Sequence, residues 1–376
     1  MYKRQLYGFP ESHAASFALL AYASAYLRRH HLAAFTCAML NNWPLGFYHP
    51  ATLVKDAQRH GLHVLPVDVT VSTWHCTLEP GAMQAAAQSP PSGRAGGPPA
   101  ADAGWNHHLS LRLGLRYVSA LRADTVARIE SARAAAPFAD LSDLIHRAAL
   151  RDDELQTLAH AGAFAPFGLT RRDAMWQAAA VSRDPLFAGA RVRATAAPLP
   201  AAPLPATPLP ATPLPEMTTV DRTLADYQTL GLTAGPHLMK HLRPSLDAQG
   251  VLRTRDLARQ KDGAWVKLAG LVIVRQRPGT AKGFCFLTLE DETGIGNAVV
   301  TPDLFQRHRA VIHTASLLLV EGPLQVVEGV IHLRARRFTP LALPEQVVTQ
   351  AGHGYRMRVT SEEALPPVLP KSHDFR

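Results

Sequence analysis

The residues of this chain whose types could bind a ligand are basic and aromatic side chains between positions 275 and 336. On a predicted strand over 330–338, successive side chains alternate between two faces. One face is apolar: Ile331, Leu333 and Ala335. The other face is basic: His332, Arg334 and Arg336. A basic outer stripe of this kind favours binding of a polyanion.

An earlier predicted strand, 284–290, adds aromatic rings to this surface. Its apolar residues Cys285, Leu287 and Leu289 are expected to face an interior, which turns Phe284 and Phe286 outward. The cations expected beside these rings are Arg275, Arg277 and Lys282. Single-stranded nucleic acid stacks its bases on such rings, at about 1–3 kcal/mol per base. The alternative is a solvated basic face with one phenylalanine in the core.

Metal chemistry has little support in the residue pattern. The densest acidic cluster, Glu290-Asp291-Glu292, comes just before Gly294 at a turn signal, so a solvated hairpin is expected there. The histidine pairs at 30–31 and 107–108 bring no third ligand at a recognised spacing, and surface histidines are expected. The three cysteines form no Cys-x-x-Cys pair and are expected to be buried, reduced thiols: Cys37, Cys76 and Cys285.

Composition sets the broad class. The chain has 376 residues, 47% of them hydrophobic, which is enough for two or three domains. Its net charge of +9 attracts polyanions such as nucleic acids. No run of about 18 apolar residues is present, so we expect a cytoplasmic protein with no membrane contact.

The basic and aromatic residues fall on strands that follow the order of an OB-fold. Five strands are predicted, at 266–274, 284–290, 295–300, 315–322 and 330–338. Thr301-Pro302 begins a short helix between the third and fourth strands, and Gly270 marks a bend in the first. This order predicts a five-stranded OB-fold β-barrel, a fold that commonly binds single strands.

Helices are predicted before the barrel, and two low-complexity segments interrupt them. Ser12 is expected to cap a first helix, with Phe17, Leu20 and Leu27 near one face, and His13 beside it at the same helix start. Residues 89–104 have little apolar surface and read as an exposed insertion. Residues 198–215 repeat a Pro-Leu-Pro-Ala unit that favours an extended linker.

Residues 7–26, Tyr-Gly-Phe-Pro-Glu-Ser-His and the helix after them, closely resemble the late fingers region of bacterial C-family DNA polymerases. Pro10-Glu11 points to the error-prone branch, and the final Ser-His-Asp-Phe-Arg resembles the ending of its members. In that family the catalytic carboxylates lie on a palm domain N-terminal to this motif. The resemblance therefore implies a C-terminal portion, inactive in isolation, in which Ser12 and His13 lie near the incoming nucleotide.

Residues 105–189, in which 111–121 lead into a predicted helix at 124–133, resemble the helix-hairpin-helix module that follows the fingers in these polymerases. Ala120 stands where the family has a glycine that lets the backbone approach a phosphate, so phosphate binding is expected to depend on Arg116 and Arg122. The alternative is a plain helical packing module. Leu186 and Phe187 occupy the place of a peptide that inserts into a sliding clamp, although this pair could also pack on its own domain.

The predicted fold class is a multidomain α+β chain, with a helical fingers remnant, a helix-hairpin-helix module and a C-terminal OB-fold barrel. The expected divisions are fingers 1–85, insertion 86–104, helix-hairpin-helix module 105–190, linker 191–218, connector 219–263, OB-fold 264–343 and tail 344–376.

The resemblance implies part of an error-prone DNA polymerase that acts in replication and lesion-bypass repair synthesis. The complete enzyme would use Mg²⁺ and deoxynucleoside triphosphates on a primer-template. Its expected partners are single-stranded DNA, a sliding clamp and other lesion-bypass proteins. Two alternatives remain: a stand-alone single-stranded-DNA-binding accessory protein, or an inert remnant of a truncated polymerase gene.

Overall fold

The computed structural model describes residues 11–44, 49–81, 109–182, 215–342, 345–349, 352–356 and 373–375. The predicted insertion and the clamp-binding candidates Leu186 and Phe187 lie outside these ranges, as does most of the proline-rich linker. Among the helices that are described, none is long and apolar enough to cross a membrane.

Helices predominate in the first two thirds of the described residues, and strands predominate in the last third. The helices are α1 (Glu11–His30), α2 (Leu32–Asn41), α3 (Pro50–Arg59), α4 (Ala123–Ala135), α5 (Leu141–Ala148), α6 (Asp152–Ala161), α7 (Arg171–Ser182), α8 (Thr219–Leu230), α9 (Leu238–Ala248), α10 (Pro302–Arg307) and α11 (Arg309–Thr314). The strands are β1 (His63–Leu65), β2 (Thr77–Pro80), β3 (Leu109–Arg112), β4 (Trp265–Gln276), β5 (Cys285–Glu290), β6 (Ile295–Val300), β7 (Leu317–Val327), β8 (Val330–Arg334), β9 (Arg337–Pro340), β10 (Glu345–Thr349), β11 (Gly352–Arg356) and β12 (His373–Phe375).

The helical part is one folded unit that contains residues of three predicted divisions: the fingers, the helix-hairpin-helix module and the connector. Strand β3 lies between β1 and β2 in a three-stranded sheet, which joins the predicted fingers segment to the helix-hairpin-helix segment. The predicted connector also belongs to this unit. Its helices α8 and α9 contribute fully buried side chains to the same apolar core as α2 through α7, among them Leu238 and Met239.

The last third forms a closed barrel of five strands. Strand β4 pairs with β5 and β7, β5 pairs with β6, β6 pairs with β8, and β8 pairs with β7, so that the hydrogen-bonded ring is complete. This is the predicted OB-fold strand order. The barrel interior is a separate apolar core that includes Leu268, Leu287 and Leu333.

The predicted fifth strand is split into two. Strand β7 pairs with β8 through residues 324–327 and with β9 through residues 318–321. Gly322 lies at this exchange of partners, and a Cβ there would lie 2.0 Å from the carbonyl oxygen of Arg334. The absence of a side chain at Gly322 therefore permits the crossing of the two segments.

The acidic turn after β5 is buried, so the expectation of a solvated hairpin is wrong. Glu290 is 1% exposed and Asp291 is 0% exposed. Arg59 of α3 donates to Glu290 at 2.9 Å, and Arg243 of α9 donates to Glu292 at 2.6 Å. The turn thus connects the barrel to two helices of the helical part through paired charges.

Helix α1 leaves its apolar side chains in solvent. It begins at Glu11, so the prediction that Ser12 caps the helix is wrong and Ser12 lies within the first turn. Phe17 and Leu20 are each 57% exposed, and Leu27 is 45% exposed. This apolar surface has no covering element among the described residues.

Candidate nucleic-acid interface

The alternation predicted on the last barrel strand is confirmed. Leu333 and Ala335 are buried, whereas Arg334 and Arg336 are exposed and His332 is half-buried. On β5, the side chains of Cys285, Leu287 and Leu289 are likewise buried in the barrel. Phe286 is 36% exposed on the outside of that strand.

Strand register aligns several of these outer side chains in one row. Gln276 pairs with Phe286, Phe286 with Val299, and Val299 with Arg334. Neighbouring strands are about 4.8 Å apart, so Phe286 and Arg334 lie about 10 Å apart across β6. We call this set the outer row: Gln276, Phe286, Val299 and Arg334. It offers an aromatic ring and a cation on the same face.

A second row lies beside the outer row. Thr288 pairs with Asn297, and Asn297 pairs with His332. The Thr288 hydroxyl donates to Asn297 Oδ1 at 3.1 Å, and Asn297 is exposed. These polar groups supply hydrogen-bond donors and acceptors next to the ring and the cation.

The loop between β4 and β5 holds three further predicted residues. Lys282 is exposed and adopts a left-handed conformation with φ of 49°. Phe284 precedes β5 and is half-buried. Arg277 is exposed, with its guanidinium carbon 4.6 Å from the centre of the Phe305 ring. In OB-folds, this first loop flanks the nucleic-acid surface.

Arg275 does not face outward, and the prediction that it joins this surface is wrong. A bulge between Val272 and Val274 inserts an extra residue in β4. The extra residue reverses the alternation, so Arg275 turns inward and Gln276 turns outward. Arg275 is 8% exposed and donates to the carbonyl oxygens of Ile312 and Ala315 at 2.6 and 2.5 Å.

The hairpin before α4 adopts the backbone conformation typical of a glycine turn despite its alanine. Ala120 has φ of 61°. However, the amide and the hydroxyl of Ser119 both donate to the carbonyl oxygen of Thr229, each at 2.7 Å, and the amide of Leu121 donates to Val118. The amides of residues 119 and 121 are therefore occupied by protein acceptors rather than directed to a phosphate.

The two arginines predicted to replace that glycine differ in placement. Arg116 donates to the carbonyl oxygens of Asn41 and Trp43 at 2.6 and 3.0 Å, which holds α2 against the hairpin. The expectation of an Arg116 side chain available to a phosphate is therefore wrong. Arg122 precedes α4 and is exposed.

The nucleotide-proximal candidates lie at the start of α1. His13 is exposed, and its ring contacts Phe17 edge-on with centroids 4.5 Å apart. Ser12 and His13 share one helical turn, and their nucleotide role stays a prediction. Among the described residues, no group of three or more His, Cys, Asp or Glu could hold a metal ion.

Sequence reasoning missed a basic cleft at one end of the barrel. The cleft has a volume of about 580 Å³ and lies between the β4–β5 loop and helices α10 and α11. Arg309 and His313 line it together with Arg277. Arg309 and His313 are four residues apart on α11, and residues at this spacing share one helix face. This spacing was the signal in the sequence that could have predicted the cleft.

Two sequence families match the two parts of this fold. A helix-hairpin-helix motif matches residues 61–174, and an OB-fold nucleic acid binding domain matches residues 266–341. The first match begins at residue 61, two residues before β1 of the three-stranded sheet. The barrel fold and these two family matches thus define a protein of the nucleic-acid-binding class.

Similarity to complete proteins is more specific. An error-prone DNA polymerase of Anaeromyxobacter dehalogenans is 44% identical over 92% of this chain and 28% of that protein. An error-prone DNA polymerase of Pseudomonas fluorescens is 46% identical over 89% of this chain and 30% of that protein. The chain is similar to the C-terminal part of these error-prone DNA polymerases, and it spans less than a third of their length.

Likeness among solved structures is local. Asparaginyl-tRNA synthetase from Pyrococcus horikoshii is 24% identical over 23% of this chain and 22% of that chain, with a TM-score of 0.21.

Proposed function

We propose that this chain supplies part of the DNA grip of an error-prone DNA polymerase in lesion-bypass repair synthesis. Its outer row would bind the single-stranded template, with the base stacked on Phe286 and the backbone near Arg334. The observation that carries this proposal is the alignment of an exposed aromatic ring and an exposed arginine across three paired strands of a closed OB barrel.

Nucleotidyl transfer itself is assigned to the complete polymerase. That reaction needs carboxylates that hold two metal ions, and the described residues contain no such group. We propose that the remaining length of the relatives supplies the carboxylates, the Mg²⁺ and the contacts to deoxynucleoside triphosphates. On this proposal, the chain alone extends no primer and acts in the cytoplasm.

The exposed apolar side chains of α1 support action within a larger assembly. Phe17, Leu20 and Leu27 leave an apolar surface that a neighbouring polypeptide would bury. The sliding clamp and other lesion-bypass proteins remain predicted partners.

The test is fluorescence anisotropy with a labelled 15-nucleotide oligothymidine at two salt concentrations. The double variant Phe286→Ala/Arg334→Ala removes the stacking ring and the cation, and we expect affinity to fall by roughly 5- to 150-fold at low salt. The slope of log affinity against log salt should decrease by about 0.7, as for one lost phosphate contact on a single strand.

The matched control is Trp176→Ala/Arg259→Ala, which removes an exposed aromatic ring and an exposed arginine outside the outer row. Equal weakening in both double variants would contradict the outer row as the binding site. Salt-dependent binding by the wild type that weakens in the outer-row variant but not in the control supports the proposed grip, and a stand-alone accessory protein would show the same behaviour. Absence of binding favours an inert remnant or dependence on the rest of the polymerase.

A further inference from the structure

The cleft at the end of the barrel has a consistent positive character. Among the residues that line it, Arg277 and Arg309 are exposed arginines and His313 is an exposed histidine. Among the described side chains that line the cleft, none belongs to an aspartate or a glutamate. The two exposed guanidinium groups favour an anion over a cation at this place.

Packing at Phe305 brings these groups together. The Phe305 ring is 3% exposed, with the Arg277 guanidinium over it at 4.6 Å and the His313 ring at its edge at 5.5 Å. Arg309 lies one helical turn before His313 on α11. A guanidinium stacked on a ring loses less side-chain freedom when a ligand binds, because one of its faces is already fixed.

The size and floor of the cleft suit one nucleotide. A volume of about 580 Å³ falls within the range of roughly 300–1,000 Å³ that small-ligand pockets occupy. Ile312 and Pro278 contribute apolar lining, and the free face of the Arg277 guanidinium can stack on a planar base. Phosphate and base thus each meet a matching group.

The cleft is continuous with the outer row. Gln276 lines the cleft and also pairs with Phe286 in the sheet. A strand stacked on Phe286 therefore reaches the cleft within the spacing of one strand pair, about 5 Å.

We propose that this cleft is a subsite that binds one nucleotide of single-stranded DNA, with the phosphate at Arg309 and His313 and the base against Arg277. This inference rests on the proposed function, because it extends the path of the strand bound at the outer row. It assigns a ligand-binding role to Arg309 and His313.

The first experiment compares Arg309→Ala with Arg307→Ala in the same oligothymidine anisotropy assay. Both arginines are exposed and lie two residues apart, but only Arg309 lines the cleft. We expect Arg309→Ala to weaken binding by about 3- to 10-fold and to reduce the salt slope by about 0.7. We expect Arg307→Ala to stay within about 2-fold of the wild type, as for an exposed charge outside a contact surface.

The second experiment probes the cleft without the outer row. Saturation-transfer NMR measures binding of thymidine 5′-monophosphate, with thymidine as the comparison that lacks the phosphate. The subsite is supported if the saturation-transfer signal of the monophosphate is stronger than that of thymidine and disappears in Arg309→Ala. Equal transfer to the two ligands, or transfer unchanged in Arg309→Ala, overturns it.

The two proposals fail in different ways. Loss of oligonucleotide binding in Phe286→Ala/Arg334→Ala with full binding in Arg309→Ala overturns the subsite and leaves the outer row intact. Absence of oligonucleotide binding by the wild type overturns the proposed function for this chain alone, and the monophosphate experiment then decides the subsite by itself.

Discussion

The hairpin at residues 118–122 and the outer row of the barrel carry similar residue types but use them differently. In the hairpin region, Arg116 and the amide of Ser119 bind carbonyl oxygens of the protein. In the outer row, Phe286 and Arg334 are exposed to solvent. The difference teaches that a basic or turn residue is available to DNA only when the tertiary fold has not already supplied its partner.

The strongest test of this contrast removes a charge that is used internally. Arg243 is 6% exposed and pairs with Glu292 at 2.6 Å and with Asp291 at 3.5 Å. Arg243→Ala leaves the buried carboxylate of Asp291 without this positively charged partner. We therefore expect the free energy of unfolding to fall by about 3–5 kcal/mol, measured by urea denaturation. Arg253→Ala is the control, because that arginine is partly exposed and should change stability by about 1 kcal/mol or less.

The pH dependence of stability gives a second test on an internal charge. Burial lowers the pKa of Lys55 to about 8 from its ordinary value of 10.5, and Lys55 donates to the carbonyl oxygen of Gly235. Between about pH 8 and 10 the unfolded chain holds this proton and the folded chain has lost it, so stability should rise with pH. The expected slope is at most about 1.4 kcal/mol per pH unit, and it should vanish below the folded pKa.

Urea denaturation of the wild type and Lys55→Met at pH 7, 8, 9 and 10 measures this contribution. The variant should lack the rise, so the difference between the two proteins should grow with pH. A constant difference across the series would show that Lys55 keeps an ordinary pKa in the folded chain.

A third prediction separates stability from binding at the hairpin. Arg116→Ala removes hydrogen bonds to Asn41 and Trp43, and we expect a loss of about 1–3 kcal/mol in unfolding free energy. Oligonucleotide affinity, measured by anisotropy where the variant is folded, should stay unchanged. Arg122→Ala is the matched comparison, because Arg122 is exposed. A fall in affinity in Arg116→Ala alone would break the contrast between hairpin and barrel.

The smallest expected effect concerns the left-handed alanine. Ala120→Gly relieves about 1–2 kcal/mol of backbone strain in the folded chain. Glycine also stabilises the unfolded chain by about 0.5–1 kcal/mol through its greater backbone entropy. We therefore expect the free energy of unfolding to rise by about 0.5–1 kcal/mol, measured by urea denaturation. Ala149→Gly, with φ of 48°, should give a similar gain. If the hairpin serves only the fold, neither variant changes DNA affinity. Tighter DNA binding in Ala120→Gly alone would show that this turn approaches a phosphate.

The barrel strands could be predicted because their signals are local. The alternation in 285–290 and 330–334 and the turn before β6 lie within a few residues of one another, and the structure has strands at these places. The inward turn of Arg275 could not be predicted, since the bulge in β4 depends on its pairing with β5. One extra residue there changed which side chains face solvent.

The buried charges were missed for a related reason. Arg59, the partner of Glu290, lies 231 residues earlier in the chain. The same holds for an uncharged pair in the hairpin, because Thr229, the partner of Ser119, lies 110 residues later. No window of neighbouring residues contains both members of either pair. A turn rich in carboxylates therefore looked solvated in the sequence, although distant arginines neutralise it in the fold.

The turn at 290–292 also links the barrel mechanically to the helical part. Its carboxylates receive arginines from α3 and α9 while its backbone continues β5, the strand that carries Phe286. A pull on DNA stacked at that ring would act on β5 and then, through pairs shielded from water, on both helices. On the proposed binding mode, tension along the template would thus reach the helical part through these two ion pairs.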